Sequence, residues 1–253
     1  MPRQNHKLLI ISLKNFKHAL TRNSIMLELI HKILLWTHIP FGALSLILFW
    51  IPVGVKKGSP VHRKVGWYYY VTMWIVVVTA FLLSISNTIR GHYLSAMYLG
   101  YLSIITAYPL WYSYEILRQK KEWTDTYFTM RKVFVSIVFI CGLGMFLMGA
   151  IKFRFMGIGT MMVFFGLLGI PSGRDIFMSK PQAMSKEKKL KMHIQGTIIS
   201  GIAAYTAFFA FGGSRILINV LHMHHQWMAI PWIAPSLLGF TYMRYMKRKY
   251  KAT

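Results

Sequence analysis

Cysteine and acidic residues are the scarce materials of this sequence, and each scarcity removes a class of chemistry. The single cysteine, Cys141, lies inside an apolar stretch, so intramolecular disulfides, cysteine-ligated zinc and iron–sulfur clusters are excluded. Six acids, Glu28, Glu115, Glu122, Asp125, Asp175 and Glu187, stand against 30 Lys and Arg. The sequence holds no paired carboxylates for hydrolysis, no Gly-x-Ser-x-Gly elbow, no His-Glu-x-x-His helix and no glycine loop with the lysine that cradles phosphate. It also lacks a carboxylate near the middle of an apolar segment, which proton pumps and cation transporters use. Near the N-terminus, the apolar run Leu8 to Leu13 is too short for a signal peptide and no small-residue cleavage site follows it. The tail is therefore expected to be retained.

What is abundant is apolar. Hydrophobic residues make up 55% of the 253-residue chain, charged residues only 14%, and mean hydropathy is +0.43. That surplus exceeds what the core of a soluble domain this size absorbs, so part of it faces a bilayer. The net charge of +24 argues against nucleic acid as partner, because a nucleic-acid binder needs Lys and Arg on a solvated groove or helix face. Here they flank apolar segments, where anionic headgroups on the cytoplasmic side meet them favourably.

Crossing about 30 Å of hydrocarbon takes roughly 20 helical residues. Segments free of Lys, Arg, Asp and Glu run at about Ile33–Val55, Val65–Ile89, Gly91–Tyr114, Val133–Ile151, Phe155–Gly173, Ile194–Ser214 and Gln226–Met243. The expected fold is all-α, a polytopic membrane helix bundle of about seven transmembrane helices. It divides into a basic tail at 1–30, with a surface helix over Lys7–Leu20, a transmembrane domain at 31–246 and a basic cytoplasmic tail at 247–253. Segments four and five, separated only by Lys152 and Arg154 among charged residues, also read as a short hairpin. Pro40, Pro52, Pro231 and Pro235 predict kinks in the first and last segments. About 20 Lys and Arg fall on one side and about 10 on the other, which puts the C-terminus inside an inner (plasma) membrane. The N-terminal tail, rich in Lys and Arg, dissents from that orientation.

Gly196, Ser200 and Ala204 recur every fourth residue, a face that lets another helix come close. Gly157, Gly159, Gly166 and Gly169 are likewise spaced for helix packing. A second copy of the chain is a candidate partner besides the bilayer.

Histidine is the versatile residue present in quantity, with ten copies. His31, His38 and His92 fall at the outer ends of segments one and three, and His62 and His193 open segments two and six on the inner side. Two imidazoles on facing helices suffice to hold a b-type haem, and by depth His38 with His92 forms the outer candidate pair. The run Leu221-His222-Met223-His224-His225 makes His222, His224 and His225 candidate ligands of a transition metal such as copper, since imidazoles beside a thioether suit a soft-to-borderline ion. The competing reading of each His is an amphipathic interfacial side chain, like the clusters Trp67-Tyr68-Tyr69-Tyr70 and Trp111-Tyr112. Glu115, near the inner end of segment three, reads as an ion pair with Arg118 one turn later.

The stretch His38-Ile-Pro-Phe-Gly42, Gly54 and Ser59-Pro60-Val61-His62-Arg63-Lys64-Val65-Gly66-Trp67-Tyr68 resembles the opening of an uncharacterised family of bacterial multi-pass membrane proteins catalogued as a domain of unknown function. His193 with the stretch Ser200 to Phe208, and Pro231 to Gly239, are similar to its C-terminal part. The resemblance implies the architecture and supplies no activity. If its matched residues act, His62 and His193 share a ligand and Arg63 holds an anionic group such as a haem propionate or lipid phosphate. Two functions follow as expectations: a haem- or metal-binding protein for electron transfer or cofactor handling, using His38, His62, Arg63, His92 and His193, or a transporter whose proline-broken segments line a path. A structural membrane protein without chemistry is the third.

Overall fold

The computed structural model describes residues 2–119, 123–154, 158–180, 184–220, 222 and 229–250, and among these every regular element is helical. The long helices are α1 (Pro2–Gly54), α2 (Pro60–Ile89), α3 (Tyr93–Arg118) and α4 (Asp125–Leu147), followed by α5 (Ile158–Gly169) and the single turn α6 (Gly173–Ile176). Then come α7 (Lys186–Ala207), the short α8 (Gly213–Asn219) and α9 (Ala229–Lys249). A π-turn at Met148–Lys152 extends α4, and another at Phe208–Gly212 joins α7 to α8. Helix α1 is continuous from Pro2 through the basic tail to Gly54.

Local chemistry sets the starts. Ser59, Thr124 and Ser185 are extended N-caps whose hydroxyls accept from the amides of His62, Tyr127 and Lys188, with Pro60 supplying a first helical position that needs no donor. Asp125 and Glu187 add negative charge to first turns. Gly91, at φ 78°, turns the chain from α2 to α3.

Three described helices are long and apolar enough to cross a membrane: Ile25–Gly54, Pro60–Ile89 and Asp125–Lys152, with mean hydropathies of 1.7, 1.9 and 2.4. The first begins upstream of the expected Ile33 and takes in Glu28, whose carboxylate is paired with Arg90 at 3.0 Å. Helix α3 is of comparable length, yet fourteen of its 26 residues are buried, many of them Tyr, Ser and Thr. A helix enclosed by others can carry such side chains, because its neighbours rather than lipid receive them. At 12 residues, α5 alone is about 18 Å long, short of a bilayer's hydrocarbon.

Two seams organise the packing. Along α1 and α2, antiparallel partners recur every seventh residue. His31 Nδ1 meets Ser86 Oγ at 3.0 Å and His38 Nδ1 meets Thr79 Oγ1 at 2.9 Å. Next along the same diagonal come the buried Ser45 and Thr72. Between α4 and α5 the backbones meet at glycines: a Cβ on Gly166 would sit 2.6 Å from the Phe146 amide nitrogen and 2.7 Å from the Gly142 carbonyl. One on Gly159 would sit 2.9 Å from the Gly149 carbonyl. Gly196 performs the same service between α7 and α3, lying against the Pro109 carbonyl, so the small-residue face of α7 is filled from within the chain.

Candidate functional site

At one end of the bundle, the C-termini of α1, α3 and α9 meet the N-termini of α2 and α7 around a cavity of about 540 Å³. Pro52, Lys57, His62, Arg63, Tyr69 and His193 are among its lining residues, and no Asp or Glu is. Most of the wall is apolar or aromatic. Phe49, Leu110, Ile194 and Ile198 contribute side chains, and Trp67, Tyr70 and Tyr114 form a stack with Tyr70 and Tyr114 centroids 4.5 Å apart.

The polar groups are placed by the backbone. Pro52 and Val53 lie in the last turn of α1, where carbonyls have no helical donor. Lys57 folds back to donate to both, at 2.7 Å each, and His62 Nδ1 lies 3.1 Å from the Pro52 carbonyl. Across the cavity His193 Nδ1 lies 2.7 Å from the Ser113 carbonyl of α3. A carbonyl can only accept, so in both rings Nδ1 carries the proton and Nε2 keeps its lone pair. Neither Nε2 has a protein partner among the described residues, and His193 lies within electrostatic reach of both His62 and Lys57. Deeper in the wall, Tyr69 donates to Ser200 at 2.9 Å, since the Ser200 hydroxyl is committed to the Thr197 carbonyl.

Burial, and next the charge of Lys249, lower the pKa of Lys57 from its ordinary value. The ammonium lines the cavity and spends two of its three donors on the Pro52 and Val53 carbonyls. Arg63, exposed beside it, adds a planar fork suited to carboxylate or phosphate.

The inner-side set of the sequence reading is thus gathered into one site: His62, Arg63 and His193 share a cavity. The outer set is not. Thr79 donates its hydroxyl to the Ile75 carbonyl at 2.7 Å and so accepts from His38 Nδ1–H. His92 is exposed at the start of α3, and its histidine neighbour is His31, two turns and about 10 Å along α1 from His38. His222 is exposed with φ 49°, and His224 and His225 lie outside the described residues. Among the described residues no group of three or more His, Cys, Asp or Glu is arranged to hold a metal ion. Glu115 pairs with Arg118 at 3.6 Å and accepts from the Gln119 amide at 3.1 Å. Sequence reasoning used Lys57 only as loop charge. Its position three residues past a helix end was the available signal for a C-terminal cap.

No protein-family model matches the chain, and no curated protein or solved structure is significantly similar to it. The geometry of the cavity therefore carries the functional reading.

Proposed function

We propose that the protein is a seven-spanning membrane bundle, C-terminus cytoplasmic, that binds an amphipathic planar cofactor of the b-haem kind in the cavity between α2 and α7. The membrane reading is supported by large apolar side chains turned outward, such as Ile47 at 65% and Ile140 at 65% exposure, the reverse of a soluble surface. Basic residues at the cavity end match the cytoplasmic, anionic leaflet of an inner membrane.

The carrying observation is the pair His62 and His193, each fixed by an Nδ1 hydrogen bond to a backbone carbonyl with its Nε2 lone pair unspent. That arrangement orients imidazoles for metal ligation. The chemistry of the donor set fits haem: two neutral imidazoles on separate helices, apolar and aromatic walls, two cations for propionates, and no carboxylate in the lining. The bound group would supply one-electron transfer. The chain's own contribution is to orient the rings through Pro52 and Ser113, to exclude water with Phe49, Leu110 and Ile198, and to neutralise the ligand's acids with Lys57 and Arg63.

The test is the absorption spectrum of protein purified in detergent from haem-replete cells, oxidised and then dithionite-reduced. A sharp reduced α-band is expected in the wild type and in His38→Ala, and its loss in His62→Ala and in His193→Ala. A colourless wild type, or full haem content in both inner variants, overturns the reading. Transport would then be the stronger reading, because Pro52, a helix proline whose carbonyl is met by Lys57 and His62, lines the cavity.

A further inference from the structure

A second cavity, of about 390 Å³, lies on the opposite side of the α3–α7 pair, between α4 to α6 and α9. At its basic end sits Arg131, buried to 7% exposure and paired through Nη2 with Asp175 Oδ2. Its guanidinium carbon lies over three rings, 5.3 Å from the centroid of Trp123, 5.4 Å from Tyr112 and 5.9 Å from Tyr108. Two buried donors lining this end have no hydrogen-bond partner among the described residues, Arg131 Nη1 and the hydroxyl of Tyr108; the hydroxyl of Tyr127, beside Arg131 but outside the lining, and that of Thr206, farther along the cavity, are likewise without one. Leaving such donors unmet in an apolar interior is costly, and a charged donor more so. Arg174 and Lys188 also line this end. With Arg131 they make three cations against the single carboxylate of Asp175.

Away from that end the lining becomes apolar and elongated. Lys188, Met192, Gln195, Ile199, Ile202 and Thr206 form one stripe of α7 in the wall, about 27 Å long at the helical rise. Leu102, Val138, Phe165 and Leu168 face it. Methionines such as Met192 and Met243 give this wall a shape that adapts to a flexible guest.

We infer that the second cavity is a binding site for a long-chain acyl amphiphile with an anionic head, the head on Arg131 Nη1 and the Tyr108 hydroxyl and the chain along α7. A head with oxygen acceptors satisfies both unmet donors at once, and the surplus positive charge selects an anion over a neutral polar group. The chain lies against the apolar side chains of the slot, Leu102, Val138, Phe165 and Ile199 among them. Carboxylate and phosphate heads share this chemistry. A free fatty acid and a phosphate-headed lipid are therefore the two sources to separate. The site uses none of the residues that hold the first ligand, so the two assignments stand apart.

The experiment is photo-crosslinking of the full chain, in neutral phosphatidylcholine nanodiscs, with palmitate carrying a diazirine at its methyl end, followed by peptide mapping. Saturable labelling of α7 and α5 is expected. Unlabelled palmitate or palmitoyl lysophosphatidate should compete, their relative strength naming the head, while hexadecanol should not. Tyr108→Phe, which removes one oxygen and no packing, should weaken binding about fivefold, and the double variant Arg131→Gln/Asp175→Asn at least about tenfold. Ala203→Phe, placed in the slot, should abolish labelling while leaving the haem-region spectrum as in the wild type. Equal competition by hexadecanol, unchanged affinity in both head variants, or labelling that never saturates overturns the assignment.

Discussion

The α1–α2 seam and the α4–α5 seam join helices by opposite means. Along α1 and α2 the contacts are made by side chains: imidazole to hydroxyl at His31 with Ser86 and at His38 with Thr79, repeated at a seven-residue interval. Along α4 and α5 the contact is made by removing side chains, so that Gly142 and Gly166 bring backbone against backbone. The first kind fixes register by direction and tolerates the loss of one member, because each bond is a separate, modest contribution. The second has no give. Backbone atoms cannot rotate out of the way, and one added methyl group moves a whole helix.

The largest expected effect follows from that asymmetry. Gly166→Ala places its Cβ 2.6 Å from the Phe146 nitrogen and should cost about 3 kcal/mol, a fall in Tm of the order of 10 °C in detergent. Gly144, on the same helix α4, has nothing within 4 Å of its would-be Cβ. Gly144→Ala should therefore leave Tm unchanged or raise it slightly through helix propensity. Equal shifts for the two variants would mean that the α4–α5 approach is looser than its geometry states.

Which of these features could be read in the sequence follows the same division. The all-helical character was legible from the apolar runs, but the starts were not: charge-free segments opening at Val65, Val133 and Ile194 miss the first turns that Ser59, Thr124 and Ser185 cap, because those turns carry Lys, Arg, Asp or Glu. Packing by Gly159, Gly166 and Gly196 was legible from spacing, whereas His62, Arg63 and His193 were grouped only by what the family resemblance implies, and their common cavity appears with the fold. The seven-residue recurrence of His31, His38 and Ser45 was printed in the chain and passed unread, since each His was weighed for chemistry rather than for register. Arg131 with Asp175 was not legible. The partners are 44 residues apart, and Arg131 beside Lys132 reads as ordinary charge at the start of a span. Only the fold shows that one of the two turns inward under three rings. Helix α3 was read as a span at Gly91–Tyr114, but its enclosure by other helices, with fourteen of 26 residues buried, was not legible from its composition.

A smaller effect is expected in the hydrogen-bonded seam. Thr79→Val keeps shape and removes the acceptor of His38 Nδ1–H, at a cost of about 1 kcal/mol. A double-mutant cycle with His38→Leu should give a coupling near 0.6 kcal/mol, the usual size for such pairs between membrane helices. Denaturation of the four proteins in the same detergent measures it. A coupling of several kcal/mol would place the polar seam beside the glycine seam in rigidity and erase the contrast.

The smallest effect lies where the α1–α2 seam ends and Lys57 caps the Pro52 and Val53 carbonyls. Burial first, and the neighbouring charge of Lys249 second, hold its pKa below the ordinary 10.5. Between the folded value and 10.5 the unfolded chain binds more protons than the folded one, so stability contributed by this group rises with pH across that window. Below the window the charged form is present in both states and its burial cost is constant. Other lysines and the falling net charge also respond to alkali, so the informative quantity is the difference in Tm between wild type and Lys57→Met, followed from neutral pH upward. That difference should move in favour of the wild type as the amine loses its proton, while the lost carbonyl contacts contribute an offset that does not vary. A difference that stays flat would mean that the ammonium is as well solvated at the helix end as in the open chain, and the seam would then close on an ordinary surface lysine.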